Sequence, residues 1–178
     1  MMYRCLIANR GEIAVRIIRA CRELNIETVA IYAKGDETSL HVSLADQAIC
    51  IGEANPLDSY LNIDRIISAA KVTESNAIHP GYGFLSESTN FAKAVEDNHI
   101  HFIGPSKTTM EMMGDKITAR QTVKQAGVPV IPGSNDAVLS VDEIKFLAKE
   151  IGFPVVLKAA SGGGGKGIRI VKEASQLD

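Results

Sequence analysis

Apolar residues recur along this chain in short runs separated by stretches of helical spacing. Tyr3 to Ala8 is a brief apolar run and predicts a buried strand. After Asn9-Arg10-Gly11, residues Ile13, Ala14, Ile17, Ile18, Cys21 and Leu24 fall on one face of a helix, with Glu12, Arg16, Arg19 and Glu23 on the other. Thr28 to Ala33 predicts a second strand, and Gln47 to Ile51 a third, weaker one. Leu61 to Ala70 is helical by the spacing of Ile63, Ile66, Ile67 and Ala70, and Asn76 to His79 is a short strand running into a loop. Phe91, Ala94 and Val95 mark another helix, and Ile100 to Ile103 another strand. Strands alternating with helices predict an α/β fold, a Rossmann-like parallel sheet with helices on both faces. Such sheets carry their sites at the C-terminal ends of the strands, which singles out the loops at 9–12, 34–40 and 79–87.

The rhythm changes after Gly104-Pro105-Ser106. Ser106 can cap a short helix reaching Met113, and Asp115 a second one that ends at Gly127 before Pro129. This boundary predicts two domains, 1–114 and 115–178. In the second, Ser140-Val141-Asp142-Glu143 reads as a capping box, with Ile144, Leu147, Ala148 and Ile151 as the buried stripe behind it. Val155 to Ala159 and Ile168 to Val171 are strands on either side of a glycine loop, Ser161 to Gly167.

Composition narrows the class. Of 178 residues, 46% are hydrophobic and 22% charged, an ordinary globular balance, and the net charge of -2 gives no reason to expect nucleic acid. No apolar run approaches the roughly 20 residues of a membrane span, and a strand begins too early to leave room for a leader peptide. Cys5, Cys21 and Cys50 match no zinc or disulfide spacing and sit in apolar segments, which predicts buried, reduced thiols in a cytoplasmic protein.

Gly162-Gly163-Gly164-Gly165-Lys166-Gly167 is the strongest chemical signal read from residues alone. Consecutive glycines lose much backbone entropy on ordering, and what they offer is N–H groups that can lie directly on a ligand, most often phosphate. A flexible turn is the other reading; four glycines beside Lys158 and Lys166 favour phosphate. The loop is not a Walker A motif, because Ala160 and Gly167 stand where that motif needs Gly and Ser or Thr. Nor does the first turn carry a dinucleotide fingerprint, since Ala8-Asn9-Arg10-Gly11-Glu12-Ile13 has one glycine. Lys158, closing the apolar run Val155-Val156-Leu157, either reaches solvent or pairs with a nucleotide phosphate.

Four blocks together resemble the biotin carboxylases, a family of ATP-grasp enzymes. They are Leu6-Ile7-Ala8-Asn9-Arg10-Gly11-Glu12-Ile13-Ala14, His79-Pro80-Gly81-Tyr82-Gly83-Phe84-Leu85-Ser86-Glu87, Phe102-Ile103-Gly104-Pro105, and Met113-Gly114-Asp115-Lys116 with the Lys158 and glycine-loop region. The second block is the most specific. The resemblance implies a pre-ATP-grasp domain followed by the start of an ATP-grasp domain. It implies ATP, magnesium and bicarbonate, with carboxyphosphate as the intermediate that carboxylates biotin. By the same resemblance Lys116, Lys158, Lys166, Gly163, Gly164 and Gly165 belong to the ATP-binding set, and His79, Tyr82, Gly83 and Glu87 border the carboxylation site. His79 reads as a structural loop residue, Glu87 equally as a helix-start charge, and Asn9 and Glu12 as shaping the first turn.

The resemblance also places the magnesium and bicarbonate ligands further along than residue 178, so this segment alone is expected to lack activity. Implied partners are a biotin carboxyl carrier protein and a carboxyltransferase, with acetyl-CoA carboxylase and pyruvate carboxylase both open as the parent. A homodimer is a further expectation, drawing on a partly basic helix face of Arg10, Arg16, Arg19 and Arg22. Two other readings stay open: a different ATP-grasp ligase, and a non-catalytic Rossmann-like module for subunit contact.

Overall fold

The structure, a computed structural model, describes residues 3–134, 136–159 and 167–177 and, for Lys116, the backbone. The chain divides into two compact units, Met1–Glu111 and Met112–Asp178.

The first unit is an α/β domain. Strands β1 (Arg4–Ile7), β2 (Glu27–Ala33), β3 (Gln47–Gly52), β4 (Ala77–His79) and β5 (His101–Phe102) form a parallel sheet in the order β3-β2-β1-β4-β5. Register is set in its centre, where Leu6 pairs with Val29 on one side and Ile78 on the other. Successive side chains of a strand point to opposite faces, so each buried strand supplies two cores. Leu6, Val29, Ile31 and Ile78 pack with α3 (Ile63–Val72) and α4 (Thr89–Asp97). Cys5, Ile7 and Ala77 face the other way, onto Ala14, Ile17, Ile18 and Cys21 of α1 (Gly11–Glu23). Helices therefore cover both faces, as the alternation predicts.

Helix starts are chemically marked. The Asn62 side chain accepts from Arg65 N–H at 3.1 Å to open α3, and Ser88 accepts from Phe91 N–H at 3.2 Å to open α4. A short helix the spacing does not predict, α2 (Leu40–Leu44), connects β2 to β3 and buries His41. Its few residues carry too little periodicity to read. One expectation fails at the sheet's edge: Cys50 is exposed. It lies on the outermost strand, β3, of which Ile51 is the buried residue.

The second unit holds α6 (Lys116–Gln125), α7 (Val141–Ile151) and an antiparallel hairpin of β6 (Val155–Lys158) and β7 (Ile168–Val171); α5 (Lys107–Gly114) runs across the division. Asp115 caps α6, accepting from Thr118 N–H at 2.7 Å, and Ser140 caps α7, accepting from Glu143 N–H at 3.2 Å. The return bond of the expected capping box goes one residue further back, from Leu139 N–H to the Glu143 carboxylate at 3.3 Å. Ala148, Val171 and Leu177 form the small core, with Ile144, Phe153, Val155 and Leu157 packed on it. Ile151, expected in the stripe, is 40% exposed in the last turn of α7 and takes no part in that core. Among the described residues no helix is long and apolar enough to cross a membrane.

The first unit's stability should rest on its strand-facing aromatics. Phe91 is fully buried and meets the Phe102 ring edge-on at 5.9 Å between centroids. Phe91→Ala is expected to lower the unfolding free energy of this unit by about 3–5 kcal/mol in denaturant titration, whereas Leu24→Ala, at a position 69% exposed, should stay within about 0.5 kcal/mol of wild type.

Candidate functional site

The sheet changes direction between β1 and β4: from β1 the chain proceeds outward to β2 and β3, and the later strands β4 and β5 add on the other side. At such a switch point the loops leaving the two central strands diverge and open a crevice. Here Asn9, just past β1, bridges the loops leaving the two central strands. The Asn9 side chain is buried, and its Nδ2 donates to Pro80 O at 2.9 Å and to Tyr82 O at 2.8 Å. Its Oδ1 accepts from Arg10 N–H at 2.9 Å, so all three bonds shape the two loops at once.

The loop 79–87 is built to lie against this amide. Gly81 has φ +67°, and a Cβ there would stand 2.7 Å from both Asn9 Nδ2 and Ile13 Cγ2. Only glycine fits both the dihedral and the approach. Gly81 N–H donates to His79 Nδ1 at 3.0 Å. An acceptor at Nδ1 requires the neutral ring with its proton on Nε2. Burial lowers the His79 pKa, which favours that neutral form. Beyond Gly83, also at positive φ, the loop tightens through Ser86 N–H to Gly83 O and Ser88 N–H to Leu85 O, both at 3.0 Å.

The four loops at the C-terminal ends of β1 to β4 converge on one cluster. Arg10 Nη1 pairs with Asp36 Oδ2 at 3.1 Å, and Tyr60 OH donates to the same oxygen at 2.7 Å. Tyr60 OH in turn accepts from Ala33 N–H at 3.0 Å, beside a register shift in the β2–β3 ladder. The Tyr60 ring stacks on Phe84 with centroids 5.1 Å apart, and the Arg10 guanidinium lies 5.1 Å from the first ring and 5.7 Å from the second. Burial alone would raise the Asp36 pKa, but the Tyr60 hydroxyl and the Arg10 guanidinium outweigh it and hold the carboxyl below its ordinary range. The Tyr60 hydroxyl is pushed up, by burial first and then by its bond to that carboxylate. Buried His41 is pushed down by desolvation; its Nε2 lies 3.3 Å from Ile31 O.

The structure thus gathers the loops at 9–12, 34–40 and 79–87, as the topology rule anticipates. It also shows what spacing did not reveal. Arg10, assigned by sequence to the basic face of α1, is the residue before that helix and turns to Asp36 instead. Arg16, Arg19 and Arg22 do remain exposed on α1. Asp36 is marked in the sequence only by lying in the 34–40 loop, Phe84 only as a member of the 79–87 block, and Tyr60 by nothing. Of the candidates on 79–87, His79 is partly buried and bonded within the loop, while Tyr82 is 79% exposed and Gly83 and Glu87 are exposed.

The phosphate candidates lie in the second unit. Lys158 ends β6 opposite Ile168 and is exposed. It shares a sheet face with Val156, Ile168 and Ile170, which are 51%, 49% and 62% exposed, while Val155, Leu157 and Val171 on the opposite face pack toward α7. The hairpin thereby offers an apolar platform with a cation at its end, a composition suited to an aromatic base with phosphates. Lys116 is the first residue of α6. Its side chain, and Gly163, Gly164, Gly165 and Lys166, lie outside the described residues. Among the described residues no group of three or more His, Cys, Asp or Glu converges to hold a metal ion.

A glycine-built loop pinned at the sheet's switch point, followed by a unit with a lysine-tipped apolar hairpin, has counterparts among known proteins. Residues 1–110 match the family model for the biotin carboxylase N-terminal domain, and residues 115–178 that for the carbamoyl-phosphate synthase L chain ATP binding domain. The chain belongs to the biotin carboxylase family. It is 55% identical to biotin carboxylase 1 of Bacillus subtilis over 99% of its own length and 39% of that protein's. It is 52% identical to the 2-oxoglutarate carboxylase small subunit of Hydrogenobacter thermophilus, over 99% of this chain and 37% of that one. Among solved structures, it resembles the Campylobacter jejuni biotin carboxylase complexed with β-γ-ATP (TM-score 0.92, 49% identity, 99% of this chain and 40% of that one). It also resembles the biotin carboxylase domain dimer of the H. thermophilus enzyme bound to MgADP, ADP and bicarbonate (TM-score 0.88, 52% identity, 99% and 39%). The chain therefore spans about two-fifths of the length of these relatives.

The loop cluster predicts a pH dependence. Because the folded state depresses the Asp36 pKa, its contribution to stability is present above the ordinary carboxylate pKa of about 3.9 and is lost as pH falls through the lower folded value. The melting-temperature gap between wild type and Asp36→Asn should therefore be full at pH 6 and close progressively below about pH 4; a gap constant down to pH 3 would contradict the pairing.

Proposed function

We propose that this chain is the amino-terminal part of an ATP-dependent biotin carboxylase, comprising the N-terminal domain (1–114) and the beginning of the ATP-grasp domain (115–178). The observation that carries the reading is the 79–87 loop, pinned at the sheet's switch point with Tyr82 turned out, in a chain whose second unit presents Lys158 on an exposed apolar hairpin face. Membership of the family supports the reaction: ATP and bicarbonate give carboxyphosphate, which delivers its carbon to the ureido nitrogen of biotin, releasing ADP and phosphate. Lys116, Lys158, Lys166 and the glycines Gly163 to Gly165 hold the ATP phosphates. When bound, ATP supplies the activated phosphoryl group; the chain's part is to neutralise its charge and exclude water.

His79, Tyr82, Gly83 and Glu87 line the carboxylation side, where His79 maintains the loop rather than moving a proton, consistent with the commitment of its Nδ1 to Gly81. Magnesium, when bound in the whole enzyme, would neutralise phosphate charge beside Lys116, Lys158 and Lys166. In the whole enzyme the partners are a biotin carboxyl carrier protein, a carboxyltransferase and a second copy of the chain; the dimeric relative and the exposed Arg16 and Arg19 on α1 support the last. The parent is a cytoplasmic acetyl-CoA carboxylase serving fatty acid synthesis or a pyruvate carboxylase; a structure of the biotin carboxylase subunit of pyruvate carboxylase, 55% identical to this chain, supports the second as much as the relatives named biotin carboxylase support the first.

Calorimetric titration with ATP tests the nucleotide half of this reading. A charge-assisted lysine–phosphate bond contributes about 1.5–3 kcal/mol, so Lys116→Ala and Lys158→Ala should each weaken binding by roughly ten- to a hundredfold. Saturable binding indifferent to both substitutions would remove the phosphate role from these lysines. Because these residues span 39% of the relatives' length, bicarbonate- and biotin-dependent ATP hydrolysis by them alone is expected to be undetectable.

A further inference from the structure

The 79–87 loop is fastened at two points, and both fastenings come from one dipeptide. Asn9 holds the base of the loop through Pro80 O and Tyr82 O. Arg10, the next residue, reaches the exit of the loop, where its guanidinium lies 5.7 Å from the Phe84 ring while paired to Asp36. Between the two fastenings stand Tyr82, 79% exposed, and Gly83.

The second fastening holds a strained residue. Phe84 adopts φ +44°, a left-handed conformation that is costly for a bulky side chain and persists only where surrounding contacts impose it. The contacts available are the Tyr60 ring, stacked at an interplanar angle of 11°, and the Arg10 guanidinium beside both rings. Tyr60 is itself fixed, fully buried with its hydroxyl between Ala33 N–H and Asp36. Arg10 therefore sits where the rigid sheet edge meets the strained end of the loop.

We propose that Arg10 is a positioning residue: with Asp36 and Tyr60 it locks Phe84 in its left-handed conformation and so sets where Tyr82 stands over the crevice. It acts through Phe84 and does not touch the reacting atoms. The functional meaning rests on the reading of 79–87 as one wall of the carboxylation site; the lock itself does not. Its chemical basis is the planar guanidinium, which can pair with a carboxylate and face aromatic rings at once.

Amide hydrogen exchange on the 178-residue chain tests it. Three loop amides report separately: Gly81, bonded to His79 at the base, and Ser86 and Ser88, bonded within the exit. Arg10→Gln is expected to speed exchange at Ser86 and Ser88 by about tenfold, with a smaller change at Gly81 and none in the buried amides of α1 and β2. Phe84→Leu should do the same, and Phe84→Tyr, which keeps the ring, should restore the protection. Unchanged exchange at Ser86 and Ser88 in Arg10→Gln, whatever Phe84→Leu does, would overturn the proposal. Should Arg10→Gln loosen the whole unit, Arg10→Lys, which keeps the charge and loses the planar guanidinium, decides: faster exchange at Ser86 and Ser88 supports the lock, and wild-type protection overturns it. The readout involves neither ATP nor biotin. A failed nucleotide titration would leave the lock standing, and unaltered loop exchange would leave the carboxylase reading standing.

Discussion

Two carbonyls, those of Pro80 and Tyr82, accept from a single buried amide, the Nδ2 of Asn9. The geometry of the first unit's site depends on this contact. A parallel sheet that turns back on itself leaves a gap between its two central loops, and buried carbonyls facing that gap need donors. Asn9 supplies them from just past the end of β1. The approach excludes a Cβ at position 81 and leaves the exit of the loop to be secured elsewhere. Arg10, Asp36, Tyr60 and Phe84 secure it, so the loops after β1, β2, β3 and β4 become one body, anchored to the core through buried Tyr60. The result is a rigid rim with an exposed aromatic ring on it.

Much of this was legible from the chain alone, for physical reasons. The central strands β1, β2 and β4 are buried on both faces and so read as short apolar runs, and the helices of the first unit carry stripes of Ile, Ala and Val. The rule that sites gather at the C-terminal ends of parallel strands picks out three of the loops that converge. Capping residues Ser106, Asp115 and Ser140 announce helix starts, and each accepts the backbone N–H that a cap should.

What was not legible depends on contacts between residues distant in sequence. Nothing local distinguishes Arg10 from the arginines of α1, yet a single residue before the helix it turns toward Asp36, 26 positions away. Tyr60 finds Asp36 across 24 positions and closes a gap beside a ladder irregularity that no pattern foretells. Cys50 looked buried because its neighbours are apolar; an edge strand has one face open. Ile151 kept the helical spacing of its stripe but falls beyond the small core of its unit. The glycine loop, the clearest signal in the sequence, runs from Ser161 to Gly167, and its residues 161–166 lie outside the described residues.

The first unit presents a loop pinned at the sheet's switch point, and the second an apolar hairpin face bearing Lys158. Under the proposed function each would meet a different substrate of the carboxylation reaction. The most direct test is to join residues 1–178 to the remainder of the B. subtilis biotin carboxylase 1 sequence and assay ATP hydrolysis with and without bicarbonate and free biotin. The account predicts hydrolysis that requires both. A folded chimera that hydrolyses ATP equally without biotin or bicarbonate, or none at all while still binding ATP, would contradict it.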